Sequence, residues 1–299
     1  MLKKLEIPVF EKKNPSHKTE AINSMEFAHG VDALVIKALD NPVVTQVVEA
    51  CVNVGIDAAF GLTLAQGIPV NRTTSPEIYA VLRHCCDALG IPVPYTIISS
   101  AISGINAACS GTDEFSFIAL SNMIPLLFTI DEQRFIIGHE CGHLALGHVV
   151  YHTAAVILAS SAKFAPVIGP AIANTITFPL NAWYRRSEIS ADRAGLICCG
   201  NLDVACQTLV KLELGRAKDI NVDAADYVKA SKNMLNRNAI GKYGELFRTH
   251  PLLPKRIEAL ELFANSQMYY RLTGTEAPTR LLSDDELQRR TENSIKILD

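Results

Sequence analysis

Residues Thr129–His148 read TIDEQRFIIGHECGHLALGH. Thr129 followed three residues later by Glu132 is a capping box, so a helix is expected to begin near Ile130 and to run through the histidines. His139 and His143 are four residues apart, and four residues advance about 40° past one full turn. Both imidazoles then leave one face, one turn apart, where two neutral rings can grip a single zinc ion. Glu140 follows His139 directly. In the HExxH pattern that carboxylate lies beside the metal-bound water and can take its proton. His148 stands nine residues past His139, about 180° round an unbroken helix. The metzincin register for a third histidine would put Gly and His where Leu146 and Val149 stand. His148 and His152 are therefore expected to be histidines near a helix end, stabilised by its dipole, and not ligands.

A catalytic zinc needs a third protein ligand and an open position for water. The stretch RRSEISADRAG (Arg185–Gly195) places Glu188 and Asp192 four apart, on one helix face. Glu188 as ligand, with Asp192 accepting a hydrogen bond from a ligand histidine, would complete a His₂Glu site. Like charges at this spacing destabilise a solvated helix face, and Ile189, Ala191, Ala194, Leu196 and Ile197 surround the pair. Arg185, Arg186 and Arg193 are the candidates to offset its charge. The competing reading is a zinc-stabilised scaffold or partner-binding module without turnover. A closed structural site uses four ligands and has no use for a base beside the metal, and no fourth ligand stands at a matching spacing.

Working outward, PVVTQVV and its surroundings give a helical pattern from about Glu20 to Leu89, broken at Asn41-Pro42. TSPEIYAVLRHCCDALG is a helix with Ser75 to cap it, Pro76 in its first turn and Gly90 at its end. IPVPYTIISS and EFSFIALS, rich in β-branched and aromatic residues, read as two strands joined by a loop, GINAACSGTD. After His152 comes a long apolar run, 153–184, interrupted by Lys163, Pro166, Pro170, Asn174 and Pro179. A membrane span needs about twenty uninterrupted apolar residues, so two shorter helices packed on the body or on a membrane surface are expected. RRSEISADRAGLICCG is a further helix ending at Gly200. NLDVACQTLVKLELG, LPKRIEALELFANS and a charged surface helix in the tail follow.

The bulk properties narrow the class. With 299 residues the chain can bury a sizeable core. Its net charge of −3 offers no basic face for a nucleic acid. A mean hydropathy of +0.17 keeps membrane contact in view. The start, MLKKLEIPVFEKKNPSHKTE, has no apolar core after its basic residues, so no secretory signal is expected. The eight cysteines show no CxxC pair and no disulfide spacing, so buried reduced thiols are expected. These features point to the cytoplasm, with membrane association through 153–184 as the alternative. Cys141, inside the zinc motif, and Cys109, near the cleft, are candidates for thiol control.

Four blocks, in order from about Pro92 to Leu260, carry a resemblance: INAACSG, FIIGHECGHLALGH, SEISADRAG and RTHPLLPKRI. The chain resembles the HtpX and CAAX-prenyl-protease family of zinc metallopeptidases, within the gluzincins, and WYRRSEISADRAGL looks most like soluble bacterial members. The resemblance implies a predominantly helical α+β, zincin-like fold with a small β-sheet packed on the HExxH helix. It implies one zinc ion held by His139, His143 and Glu188, Glu140 as catalytic base, and Asp192 orienting a ligand. His250 would stabilise the oxyanion formed when water attacks a peptide carbonyl. Asn106, Ala107 and Ala108 would begin the edge strand against which a protein or peptide substrate pairs. The expected organisation is an N-terminal helical region (1–90), a metallopeptidase domain (91–265) and a C-terminal helical tail (266–299).

Overall fold

The computed structural model describes residues 24–30, 66–102, 104–111, 116–149, 152, 169–215, 223, 226–231 and 250–296, with the backbone alone at 24 and over 169–182. In chain order these form α1 (Ser24–Phe27), β1 (Gly67–Pro69), α2 (Pro76–Leu89), β2 (Tyr95–Ser99), β3 (Ala107–Gly111), β4 (Ser116–Ser121) and α3 (Ile124–Leu127). There follow α4 (Ile130–Ala145), α5 (Gly169–Cys199), α6 (Leu202–Leu214), α7 (Leu253–Ala264), α8 (Gln267–Thr273) and α9 (Asp284–Ile295). The fold is mostly helical with one small mixed sheet, the α+β class expected from the sequence.

The sheet has the order β1-β2-β4-β3. β2 and β4, the two expected strands, pair in parallel, while β1 and β3 add antiparallel at the edges. The segment read as a loop is therefore partly strand. Ala107, Ala108, Cys109 and Ser110 are small and carry little strand preference, but the open edge of β4 supplies a ladder that overrides it. β1 likewise corrects the helical expectation at 67–69. The expected helices between 31 and 65 lie outside the described residues.

α2 buries Ile78, Val81, Leu82, Cys85, Cys86 and Leu89, an amphipathic stripe that packs on α4. Its expected cap is only half present: the Ser75 carbonyl accepts from Tyr79 N–H at 2.9 Å, but the Ser75 side chain makes no cap bond. α4 begins where its capping box places it. Thr129 N–H donates to Glu132 Oε2 at 2.8 Å, and Glu132 N–H donates to Thr129 Oγ1 at 3.4 Å.

α5 is one helix of 31 residues. It joins the end of the apolar run to the Glu188 segment, where the sequence suggests a break. Residues 153–168 lie outside the described set. Among the described residues no helix is long and apolar enough to cross a membrane.

Three glycines let α4 and α5 approach closely. A Cβ on Gly142 would lie 2.6 Å from Ala194 Cβ, one on Gly138 would lie 2.7 Å from Cys198 Cβ, and one on Gly195 would meet the Phe135 carbonyl at 2.8 Å. Packed carbons do not come that near. This contact brings the face bearing His139 and His143 within reach of the face bearing Glu188 and Asp192. Fully buried Arg193 locks the back of α5 by donating to the Phe27 and Ala28 carbonyls beside α1. α9 is amphipathic and not merely a surface helix: it packs on α7, burying Leu287, Thr291 and Ile295, and Glu292 pairs with Arg186.

Candidate metal centre

His139 Nε2 and His143 Nε2 lie 3.2 Å apart. Glu188 Oε2 is 3.6 Å from His139 Nε2, and Glu188 Oε1 is 3.4 Å from His143 Nε2. Ligand atoms about 2.0–2.1 Å from one tetrahedral ion stand about 3.3 Å from each other; the two imidazole nitrogens match that spacing, and with one donor atom from each residue all three lie within 4.8 Å, close enough to share an ion. The chemistry of the set agrees. Glu188 is 2% exposed, and its Oε2 accepts no hydrogen bond. The Arg256 guanidinium faces that oxygen at 3.6 Å, too far for a hydrogen bond, so the buried carboxylate oxygen keeps room for a closer cation. Burial alone would raise the Glu188 carboxyl, but His250, His143 and His139 hold it well below its usual value.

Behind His139 stands a charged clamp. Asp192 Oδ1 lies 2.9 Å from His139 Nδ1. Arg256, from α7, donates to both Asp192 oxygens, Nη2 to Oδ1 at 2.6 Å and Nε to Oδ2 at 2.8 Å. Burial would raise the Asp192 carboxyl, and the guanidinium outweighs it and keeps the group ionised. Arg256 thus performs the offset expected of Arg185, Arg186 or Arg193. Arg186 turns to Glu292 and Arg193 to the α1 carbonyls.

A cleft of about 390 Å³ opens onto this centre. Asn106 and Ala107 form one rim, and His139, Glu140 and Glu188 lie in its lining. Phe135, Ile136, Leu209, Leu212 and Leu253 add apolar surface. Ala108, the third residue expected at the edge, is exposed and does not line the cleft. His250 stands just before α7 with its side chain half exposed and Nε2 at 3.4 Å from Glu188 Oε2. Burial first, then the Glu140 carboxylate, push the Cys109 thiol well above its usual range. Cys141 is fully buried and its thiol is also raised, by Cys86 and by burial. Both groups stay protonated, which makes neither a ready nucleophile.

Residues 72–264 match the model of Peptidase family M48. This chain belongs to peptidase family M48. It is 30% identical over 222 residues to the Plastoglobule-localized metallopeptidase 48, chloroplastic, of Arabidopsis thaliana, a match covering 70% of this chain and 63% of that one. It is 25% identical over 226 residues to the Protease HtpX homologs of Ralstonia pickettii (strain 12J) and Ralstonia nicotianae (strain ATCC BAA-1114 / GMI1000), covering 67% of this chain and 78% of theirs. The chain therefore spans just under two thirds of the plant relative's length. No solved structure matches.

In this M48 chain the residues singled out from the motif converge, but two neighbours do not lie where helical geometry puts them. α4 ends at Ala145, and Gly147 takes a left-handed φ of 68°. The turn carries His148 back behind His143, their Nδ1 atoms 2.9 Å apart, instead of round to the opposite face. His152 follows, buried, with Nε2 2.9 Å from Ser187 Oγ. Both follow the end of α4 and neither joins the three donors, as expected, but each is held by a side-chain partner as well as by its place near the helix end. The signal was present in the sequence, since a glycine just past a helical run marks its end. Tyr184 lies in the WYRRSEISADRAGL stretch, where no spacing rule gives it a role. One turn before Glu188, it stacks on His152 at 3.6 Å and 7°, and its ring lies 6.1 Å from that of His250.

Proposed function

We propose that the protein is a zinc-dependent endopeptidase acting on protein or peptide substrates, with zinc held by His139, His143 and Glu188 and with Glu140 as general base. The observation that carries this reading is the convergence of three donor atoms, within 4.8 Å of one another, at a cleft that His139 and Glu188 line together with Glu140. Among the described residues no fourth donor joins them, which favours an open catalytic site over a closed structural one.

Zinc bound there supplies a Lewis acid that polarises the scissile carbonyl and acidifies water. The remaining work belongs to the chain. Glu140 takes the proton of the attacking water and passes it to the leaving amine. His250, at the mouth of the site, donates to the carbonyl oxygen as negative charge develops on it. Asp192, clamped by Arg256, holds His139 in the tautomer that leaves Nε2 free.

β3 orients the substrate. Ser121 N–H donates to the Asn106 carbonyl at 2.9 Å, so Asn106 and Ser121 form a hydrogen-bonded pair. Alternation along an antiparallel ladder then turns the main-chain groups of Ala107 and Cys109 outward. Among the described residues no strand covers that edge, and an extended peptide can add to it. In the free protein the Ala107 N–H is held by Asn106 Oδ1 at 2.9 Å.

The test is metal analysis paired with a cleavage assay on casein or a denatured protein. About one zinc per chain is expected, with cleavage lost to a chelator and restored by zinc. Cleavage that continues unchanged in chelator contradicts the proposal.

A further inference from the structure

The two histidines of the donor set are backed by different chemistry. His139 leans on an anion, Asp192, whereas His143 leans on a second imidazole. A contact of 2.9 Å between two ring nitrogens needs one donor and one acceptor. His143 Nε2 is the atom that faces His139 Nε2 and Glu188 Oε1, so its lone pair points into the donor set. In a neutral ring the proton then sits on Nδ1. His148 Nδ1 is the acceptor, and His148 carries its own proton on Nε2.

We infer that His148 is a positioning residue for the metal, accepting the hydrogen bond that fixes the orientation and tautomer of His143. The inference rests on the reading of His143 as a metal ligand. The surroundings of His148 fit a group held in one pose. It is fully buried, with its ring edge-on to Trp183 at 5.6 Å and 89°. His152 lies 5.8 Å away, pinned by Ser187 and by the stack on Tyr184. Trp183, Tyr184 and Ser187 all belong to α5, the helix that presents Glu188. One element thus sets the carboxylate donor and steadies the support of His143. The left-handed turn at Gly147 is what lets the chain deliver that support, because a helix continued through 146–148 would carry His148 away.

The test compares the zinc dissociation constant, read by competition with a chelating dye, for the wild type, His143→Ala, His148→Leu and His148→Gln. His148→Leu removes the acceptor and is expected to weaken zinc binding about 10–100-fold. His148→Gln, whose amide oxygen can accept from His143 Nδ1–H, is expected to recover most of that loss. A folded His148→Leu protein that binds zinc like the wild type overturns the inference, as does a Gln variant no better than Leu. If His143→Ala keeps wild-type affinity, the ligand assignment itself is wrong. If it loses zinc while His148→Leu does not, only the role of His148 fails. Should the Leu variant not fold, ¹⁵N NMR of the zinc-loaded wild type decides. A scalar coupling across the hydrogen bond between His143 Nδ1 and His148 Nδ1 is expected, and its absence overturns the proposal.

Discussion

Glu140→Gln is expected to lower kcat/KM for peptide cleavage by about 10²–10⁴-fold, the range set by a lost general base. Glutamine has nearly the shape of glutamate but cannot take a proton from water. Glu140 is not one of the three converging donors and is 8% exposed at the cleft lining, so zinc content is expected to stay near one per chain. Steady-state kinetics and metal analysis on the same preparation separate the outcomes. A variant that cuts at the wild-type rate removes Glu140 from the mechanism. A variant that is inactive because it has lost its zinc makes Glu140 a ligand and not a base.

Arg256→Ala is the second large effect. Asp192 is 1% exposed and Arg256 satisfies both of its oxygens. Removing one partner of a buried ion pair leaves the other charge desolvated, at a cost of about 3–5 kcal/mol. Urea denaturation of the metal-free protein measures it. Zinc binding is expected to weaken as well, because Asp192 without its clamp no longer fixes His139. Replacing both partners with apolar side chains, as in Arg256→Met with Asp192→Leu, is expected to destabilise the metal-free protein less than Arg256→Ala alone. A single variant within about 0.5 kcal/mol of the wild type would place the pair among ordinary surface contacts.

Local chemistry made parts of this molecule legible in its sequence. α4 could be read because its capping box fixes its start and the 3.6-residue repeat fixes which face His139 and His143 share. Glu188 and Asp192 could be paired for the same reason. β3 could not, since Ala107 to Ser110 have no strand preference and owe their conformation to β4. The continuity of α5 was hidden by Pro170 and Pro179. A proline removes one helical hydrogen bond but does not end a helix that its neighbours hold. Arg256 lies 64 residues from Asp192, and no spacing rule connects them. Extending a helix past Gly147 puts His148 on the far face, and the glycine that ends the helix reverses the conclusion.

The central claim is a zinc ion held by two imidazoles and one carboxylate, and X-ray absorption at the zinc edge tests it most directly. The purified protein is expected to show about one zinc per chain, with a first shell of nitrogen and oxygen only, at about 2.0–2.1 Å, and the outer scattering of two imidazoles. A sulfur neighbour at about 2.3 Å, or a spectrum unchanged in Glu188→Ala, would contradict the account.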